Sequence, residues 1–224
     1  MNDREIRISQ MATRINDFGA AHGAGFSAGS RGQQKFAALS TQVAVIDQLG
    51  TSQAATSGAA QTSTVAKREA RESIRRQMKA IREVAVALES ESPGISSSFR
   101  MPATNGDEAL INSARAFVIA ATPLKPMFTS SELPATFLED LTAAISSFEE
   151  SVSLYNQKRG ESAAATASLK AALAEVVKLR RELDPIVRNK FRGDTATLAA
   201  WESASHLERD PKRTAPATTP APQP

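Results

Sequence analysis

The chain has 224 residues, 41% of them hydrophobic, with a formal net charge of +3. That length suits one domain with appendages, and a near-balanced charge does not by itself call for nucleic acid. It contains no cysteine, which excludes disulfides, thiolate nucleophiles and Cys-based metal sites.

The opening residues, Met1-Asn2-Asp3-Arg4-Glu5-Ile6-Arg7-Ile8, are interrupted by charge, so no leader-type apolar stretch forms. The longest strongly apolar run, 117–121, is far below the roughly 20 residues that cross a bilayer. A cytoplasmic protein is expected. Alanine is abundant and aromatic residues make up only 5%. Period-2 alternation is missing, so local propensity favours helix throughout.

In chain order, Ile8, Met11, Ile15 and Phe18 step by 3, 4 and 3 and place a first helix over about 3–22. Gly19, Gly23, Gly25, Gly29 and Gly32 mark the first loop, onto which Phe26 is expected to dock. Phe36, Leu39, Val43 and Ile46 open a second stripe. It thins through the Ala/Ser/Thr-rich stretch 51–64 and resumes at Ile74, Met78, Ile81, Ala85 and Leu88. With no proline before Pro93, one continuous helix over 31–91 is favoured over two helices broken near Gly50 or Gly58. Ser92-Pro93-Gly94 stops it. Residues 93–106 read as a loop tacked down by Phe99 and Met101.

A third helix is expected over 107–121, ended by Pro123 and Pro126, with a short turn at Met127 and Phe128. A fourth starts near Pro134 and carries the heptad seam Leu138, Leu141, Ile145, Phe148, Val152 and Tyr155, with Gly160 closing it. A fifth begins near Glu161 with Leu169, Leu173, Val176, Leu183, Ile186 and Val187 on its face. Pro185 inside it predicts a kink, or a restart capped by Asp184. Asp194 is the expected N-cap of a short last helix over 195–208 carrying Leu198, Trp201 and Leu207. From Asp210 the Pro/Ala/Thr composition predicts a disordered tail, so the domain reading is one helical bundle over 1–209 and a tail over 210–224.

Few residues carry chemistry. His22 falls in the glycine-rich loop. Glu202 and His206 share a helix face, which reads as a stabilised helix end. Glu139, Asp140, Glu149 and Glu150 flank the heptad seam and read as a solvated face. The most specific feature is a cationic ridge on the long helix: Arg68, Arg71, Arg75, Lys79 and Arg82 step by 3, 4, 4 and 3, with Arg76 beside it. Such a ridge suits a row of phosphates, but it lacks interleaved aromatics for base stacking and has no DNA- or RNA-binding module around it. The plainer expectation is a solvated face paired with the acidic fourth helix. The small-residue stretch from Thr51 to Thr64 reads as a thin middle of the helix, as an exposed end beyond the bundle, or as a surface for self-association. The glycines match neither a dinucleotide nor a Walker loop, and no Ser sits in a nucleophile elbow. Trp201, the only tryptophan, reads as a core residue.

The stretch Leu183-Asp184, then Ile186-Val187-Arg188-Asn189-Lys190-Phe191, then the run from Leu198 to Arg209, resembles a group of hypothetical bacterial helical proteins of about this size. Residues 67–71 and Phe99-Arg100 to Pro102 fit the same group, and Pro185 departs from it. The resemblance implies no activity.

The expectation is an all-α antiparallel helical bundle with one very long helix and a short C-terminal helix. A non-enzymatic structural or protein-interaction role is expected, with no catalytic, cofactor or metal site. A protein partner or a homo-oligomer is expected ahead of nucleic acid, with no membrane. The alternative is a polyanion binder working through the ridge.

Overall fold

The structure, a computed structural model, describes residues 1–208. Arg209 and the expected tail over 210–224 lie outside the described residues. The described chain is an all-α antiparallel bundle with no strand. No helix in it is long and apolar enough to cross a membrane.

Helix α1 spans Asp3–His22. Asn2 starts it with a capping box: its side chain accepts from Glu5 N at 2.9 Å, and the Glu5 carboxylate accepts from Asn2 N at 2.8 Å. The face predicted from the 3-4-3 spacing, Ile8, Met11, Ile15 and Phe18, is buried. Phe26 folds back as expected, its ring 5.5 Å from Phe36 and 5.7 Å from Phe191.

Helix α2 runs unbroken over Arg31–Ala87, 57 residues. Isolated glycine costs about 1 kcal/mol in a helix, which is too little to break one that packs at both ends. A methyl group added at Gly58 would touch nothing. The hydroxyls of the thin stretch do not compete for another fold. Thr51, Thr62 and Thr64 each donate back to the carbonyl four residues earlier, at 2.8–3.1 Å. After α2, the Glu89 carboxylate holds the turn by accepting from Gly94 N at 2.6 Å and Ser96 N at 2.9 Å. Gly94 there has φ +93°, a conformation glycine takes without strain.

Helices α3 (Asp107–Ala121) and α4 (Lys125–Ser130) follow. The expected turn at Met127 and Phe128 is thus a short helix, and Phe128 is fully buried. Helix α5 covers Phe137–Lys190, 54 residues. The expected break at Gly160 and new helix at Glu161 are not formed. Side chains straddle the glycine instead: Lys158 pairs with Glu161 at 2.9 Å and Gln157 donates to Glu161 at 2.9 Å, while Arg159 donates to Tyr155 at 3.0 Å in the turn before it. Pro185 causes no restart either. Leu183 and Val187, on either side of it, are fully buried, and that packing offsets the one backbone bond proline removes. Asp184 caps nothing and turns to α6 instead. Helix α6 (Thr195–Ser205) begins as predicted at Asp194, whose carboxylate accepts from Thr197 N at 3.0 Å and Thr197 Oγ1 at 2.6 Å.

Contacts gather in two compact units. Among the described residues the first holds Met1–Gln53 and 165–208; the second is Ala54–Ala164. Both long helices contribute to each unit. In the first unit they run antiparallel, since Lys35 meets Glu182 at 2.6 Å while Gln53 donates to Thr166 at 3.2 Å. Its core joins Met11, Ile15 and Phe18 of α1 to Leu39 and Ile46 of α2, Val176, Leu183 and Val187 of α5, and Trp201 of α6. In the second unit the Lys67 ammonium sits 4.4 Å over the Tyr155 ring, and Ile81 and Phe137 line one cleft, so α2 and α5 are antiparallel there too. That core joins Ile74, Met78 and Ile81 to Phe117, Phe128, Leu141 and Phe148, closed by Phe99 from the connecting segment.

The helical glycines predict opposite outcomes by position. A methyl on Gly19 would lie 2.5 Å from Phe36 Cδ1, a core ring with little room to yield. Overpacking costs about 1–3 kcal/mol, more than the ~1 kcal/mol of helix propensity that alanine returns, so Gly19→Ala lowers stability. Gly160→Ala, in open space, raises it by about 0.5–1 kcal/mol. Urea unfolding of the two variants measures both signs.

Candidate functional site

The ridge of α2 is divided by the fold. Its middle residues turn onto the start of α3. Arg71 Nη1 donates to Asp107 Oδ1 at 2.8 Å, and its Nη2 bonds the Asn105 carbonyl oxygen. Arg75 Nη2 donates to Asn105 Oδ1 at 3.0 Å. Lys67, one turn earlier, completes the group by reaching Asp107 Oδ2 at 2.6 Å. Lys67, Arg71 and Arg75 are four apart, so they stack on one side of α2 and face the 105–107 segment together. Asp107 is in the first turn of α3, where a carboxylate also offsets the positive helix end. The geometry is a clamp: one carboxylate holds two cations, each with about four-fifths of its side chain buried.

The remaining ridge residues are outward. Lys79 approaches Glu83 at 3.6 Å with both side chains largely exposed, a pair that contributes little. Arg68 and Arg82 are exposed and take no partner among the described residues. The expected pairing of the ridge with the acidic residues of the fourth helix does not occur. Those carboxylates are taken by α3 and α4, through Arg115–Glu149 at 2.6 Å and Lys125–Glu139 at 2.7 Å, while Asp140 accepts from Thr136 Oγ1 at 2.9 Å. Helix α3 brings Arg115 to α5, and α4 brings Lys125.

Asp107→Ala removes the shared acceptor and leaves Lys67 and Arg71 partly buried without it. It is expected to cost about 1–2 kcal/mol, below the 3–5 kcal/mol of a fully buried pair because the group is partly hydrated. Arg68→Ala on the outward edge is expected to stay within about 0.5 kcal/mol. Chemical denaturation of both variants reads the contrast.

A second polar network locks α6 to α5. Trp201 Nε1 donates to Asp184 Oδ1 at 2.9 Å, and Arg188 reaches Asp184 Oδ2 and Glu202 Oε1, each at 3.1 Å. Burial pushes the Asp184 carboxyl up, but the bonds from Trp201 and Arg188 outweigh it and hold the group below its ordinary value. Glu202 is thereby turned away from His206, and the expected Glu202–His206 pair is replaced by Glu202–Arg188. His206 lies just past the end of α6, where its carbonyl accepts from Arg14 Nη2 at 2.8 Å. His22 packs against Phe18 with ring centres 4.5 Å apart and against Phe191 at 6.0 Å.

Glu89, Glu139, Glu161, Glu182 and Asp194 are also held below the usual carboxylate range. For Glu89 the cause is the Ser96 backbone N–H, for Glu139 it is Lys125, and for Asp194 it is the Thr197 side chain. A carboxyl acting as a general acid near neutral pH must be shifted the other way. Among the described residues no three His, Asp or Glu side chains gather to hold a metal ion. The second unit has a cleft of about 510 Å³ lined by Gln77, Ile81, Phe137, Asp140 and Ala144. Its one carboxylate is Asp140, already bonded to Thr136.

The clamp at Asp107 and the Arg188 network escape a reading by periodicity, because spacing gives the side of a helix but not what lies opposite. The one available signal for the clamp is a first-turn aspartate after a Gly. No protein-family model, curated protein or solved structure matches the chain.

Proposed function

We propose that this protein is a non-enzymatic structural or protein-interaction module, and that it works by association through exposed apolar positions on its helices, with a second copy of the chain or another protein as partner. The observation that carries this reading is the exposure of large aliphatic side chains on otherwise well-packed helices of the second unit. Ile119 of α3 is 75% exposed and Val86 of α2 is 54% exposed, while their neighbours Val118 and Ala85 pack into the core. Association that buries an aliphatic side chain left in water gains free energy. The downward-shifted carboxylates support the non-enzymatic part, because each is engaged in a structural bond: Glu89 in a turn, Asp194 at a helix end, Glu161 along its own helix, and Glu139, Glu182 and Asp184 to a neighbouring helix.

Static light scattering of the purified chain at low and high salt is the test. An oligomer that persists in salt, or a protein partner retained through salt washes, is the expected result. A strictly monomeric chain that retains no protein would remove the reading.

The polyanion reading keeps Arg68, Lys79 and Arg82, supported by their exposure and by the lack of partners for Arg68 and Arg82. It predicts co-purifying nucleic acid that salt releases, with binding lost on reversing those three charges.

A further inference from the structure

The first unit has a groove of about 490 Å³ between the start of α1 and α5. Its floor is Ile8, Leu173 and Val177, and Lys170 and Arg181 rise on α5 at either end of that floor. On α5 the positions 170, 173, 174, 177 and 181 fall on one helical face, so the apolar strip and its two flanking cations are set by one register. Arg4 stands on the α1 side, one turn before Ile8.

The charge of this groove is not compensated by the fold. Arg4, Lys170 and Arg181 are exposed and take no partner among the described residues. On the same two helices Arg7, Arg14, Lys178, Arg180 and Arg188 each have one. The only carboxylate on the groove wall is Glu5, which is committed to the capping box through Asn2 N at 2.8 Å. Three like charges therefore surround an apolar floor at cost to themselves, and an anion placed among them would relieve that repulsion. Guanidinium groups present planar donor forks that match a carboxylate or phosphate edge. The volume falls within the range of small-molecule clefts, about 300–1,000 Å³.

We propose that this groove binds a small amphiphilic oxyanion, an aliphatic chain ending in a carboxylate or phosphate. The head is held by Arg4, Lys170 and Arg181, and the chain lies over Ile8, Leu173 and Val177. The site is distinct from the apolar positions of the second unit and stands or falls separately from association through them.

Isothermal titration of the full chain with monomeric decanoate, decyl phosphate, decylamine, decanol and inorganic phosphate is the test. Decanoate and decyl phosphate are expected to bind, and Arg181→Gln and Lys170→Gln are each expected to weaken them about tenfold, the scale of losing one charge-assisted bond. Both side chains are exposed and unpartnered, so these variants fold. Ala174→Leu, which fills the exposed middle of the groove without touching charge, is expected to weaken binding as well. Equal binding of decylamine or decanol would overturn the proposal by showing apolar adhesion alone. Inorganic phosphate binding as tightly as decyl phosphate would overturn the apolar half. Binding to anionic vesicles without binding to monomeric decanoate would overturn it in favour of a membrane surface.

Discussion

Trp201→Ala is expected to remove about 3–5 kcal/mol of stability, the range for emptying a buried large aromatic site. The indole is fully buried, and its ring centre lies 5.2 Å from Phe18 and 6.3 Å from Phe36 in edge-on contacts. It joins α6 to α1 and α2 in one step, so its loss opens the aromatic cluster from the side where α6 docks. Trp201→Phe separates the two contributions of the indole. The ring is largely kept, but Asp184 loses its bond from Nε1, a cost of about 1–3 kcal/mol for the charge-assisted bond and the acceptor left behind.

The sign of the pH dependence follows from the direction of the Asp184 shift. Its folded value lies below the ordinary one, so ionised Asp184 contributes stability above the ordinary carboxylate range. That contribution is lost as pH falls through the lowered folded value. The gap between wild type and Trp201→Phe is therefore expected to narrow at acid pH, read from denaturation curves across the carboxylate range. A gap that stays constant would show that Asp184 is not the group that carries it.

Phe99→Ala is expected to cost a similar ~3–5 kcal/mol, although Phe99 belongs to no α-helix. It is fully buried, with ring centres 5.3 Å from Phe117 and 5.4 Å from Phe128, both edge-on. It pins the connecting segment between α2 and α3 to the core of the second unit. Its removal frees the segment that carries Asn105 and Asp107, so the clamp on Lys67 and Arg71 and the Arg75–Asn105 bond loosen with it. The expected readout is a lower urea midpoint together with faster amide exchange over 95–107. In native buffer the emission of Trp201, in the first unit, stays that of a buried indole. A change of less than about 1 kcal/mol would show that the segment is held by its backbone bonds and not by this ring.

The helices that were legible in the sequence are those with two agreeing signals. Helix α1 has its 3-4-3 stripe and the glycines after it, α3 has its apolar positions and terminal prolines, and α6 has Asp194 followed by Leu198 and Trp201. Phe26, Phe99 and Met101 were legible as loop residues that dock, since an aromatic or Met among Gly, Ser and Pro has little reason to stay in water. The misreading at Gly160 came from weighing one glycine above the Lys158–Glu161 and Gln157–Glu161 bonds that carry the helix across it. At Pro185 the buried Leu183 and Val187 overrode a local breaker, and no residue near Asp184 announces its bond to Trp201, 17 positions away. The ridge was legible as a row but not as a divided one. A difference of one residue, 67 against 68, decides whether a side chain meets α3 or solvent.

Light scattering on two variants side by side separates association through apolar helix positions from association through the α2 cations. One replaces Ile119 and Val86 by Asp; the other replaces Arg68, Lys79 and Arg82 by Glu. All five side chains are exposed, so both variants are expected to keep the wild-type unfolding free energy within about 0.5 kcal/mol. The Ile119→Asp/Val86→Asp protein is expected to lose its assembly or its partner while the charge-reversed protein keeps it. Loss of assembly in the charge-reversed protein alone would overturn association through the apolar positions and pass the function to the ridge.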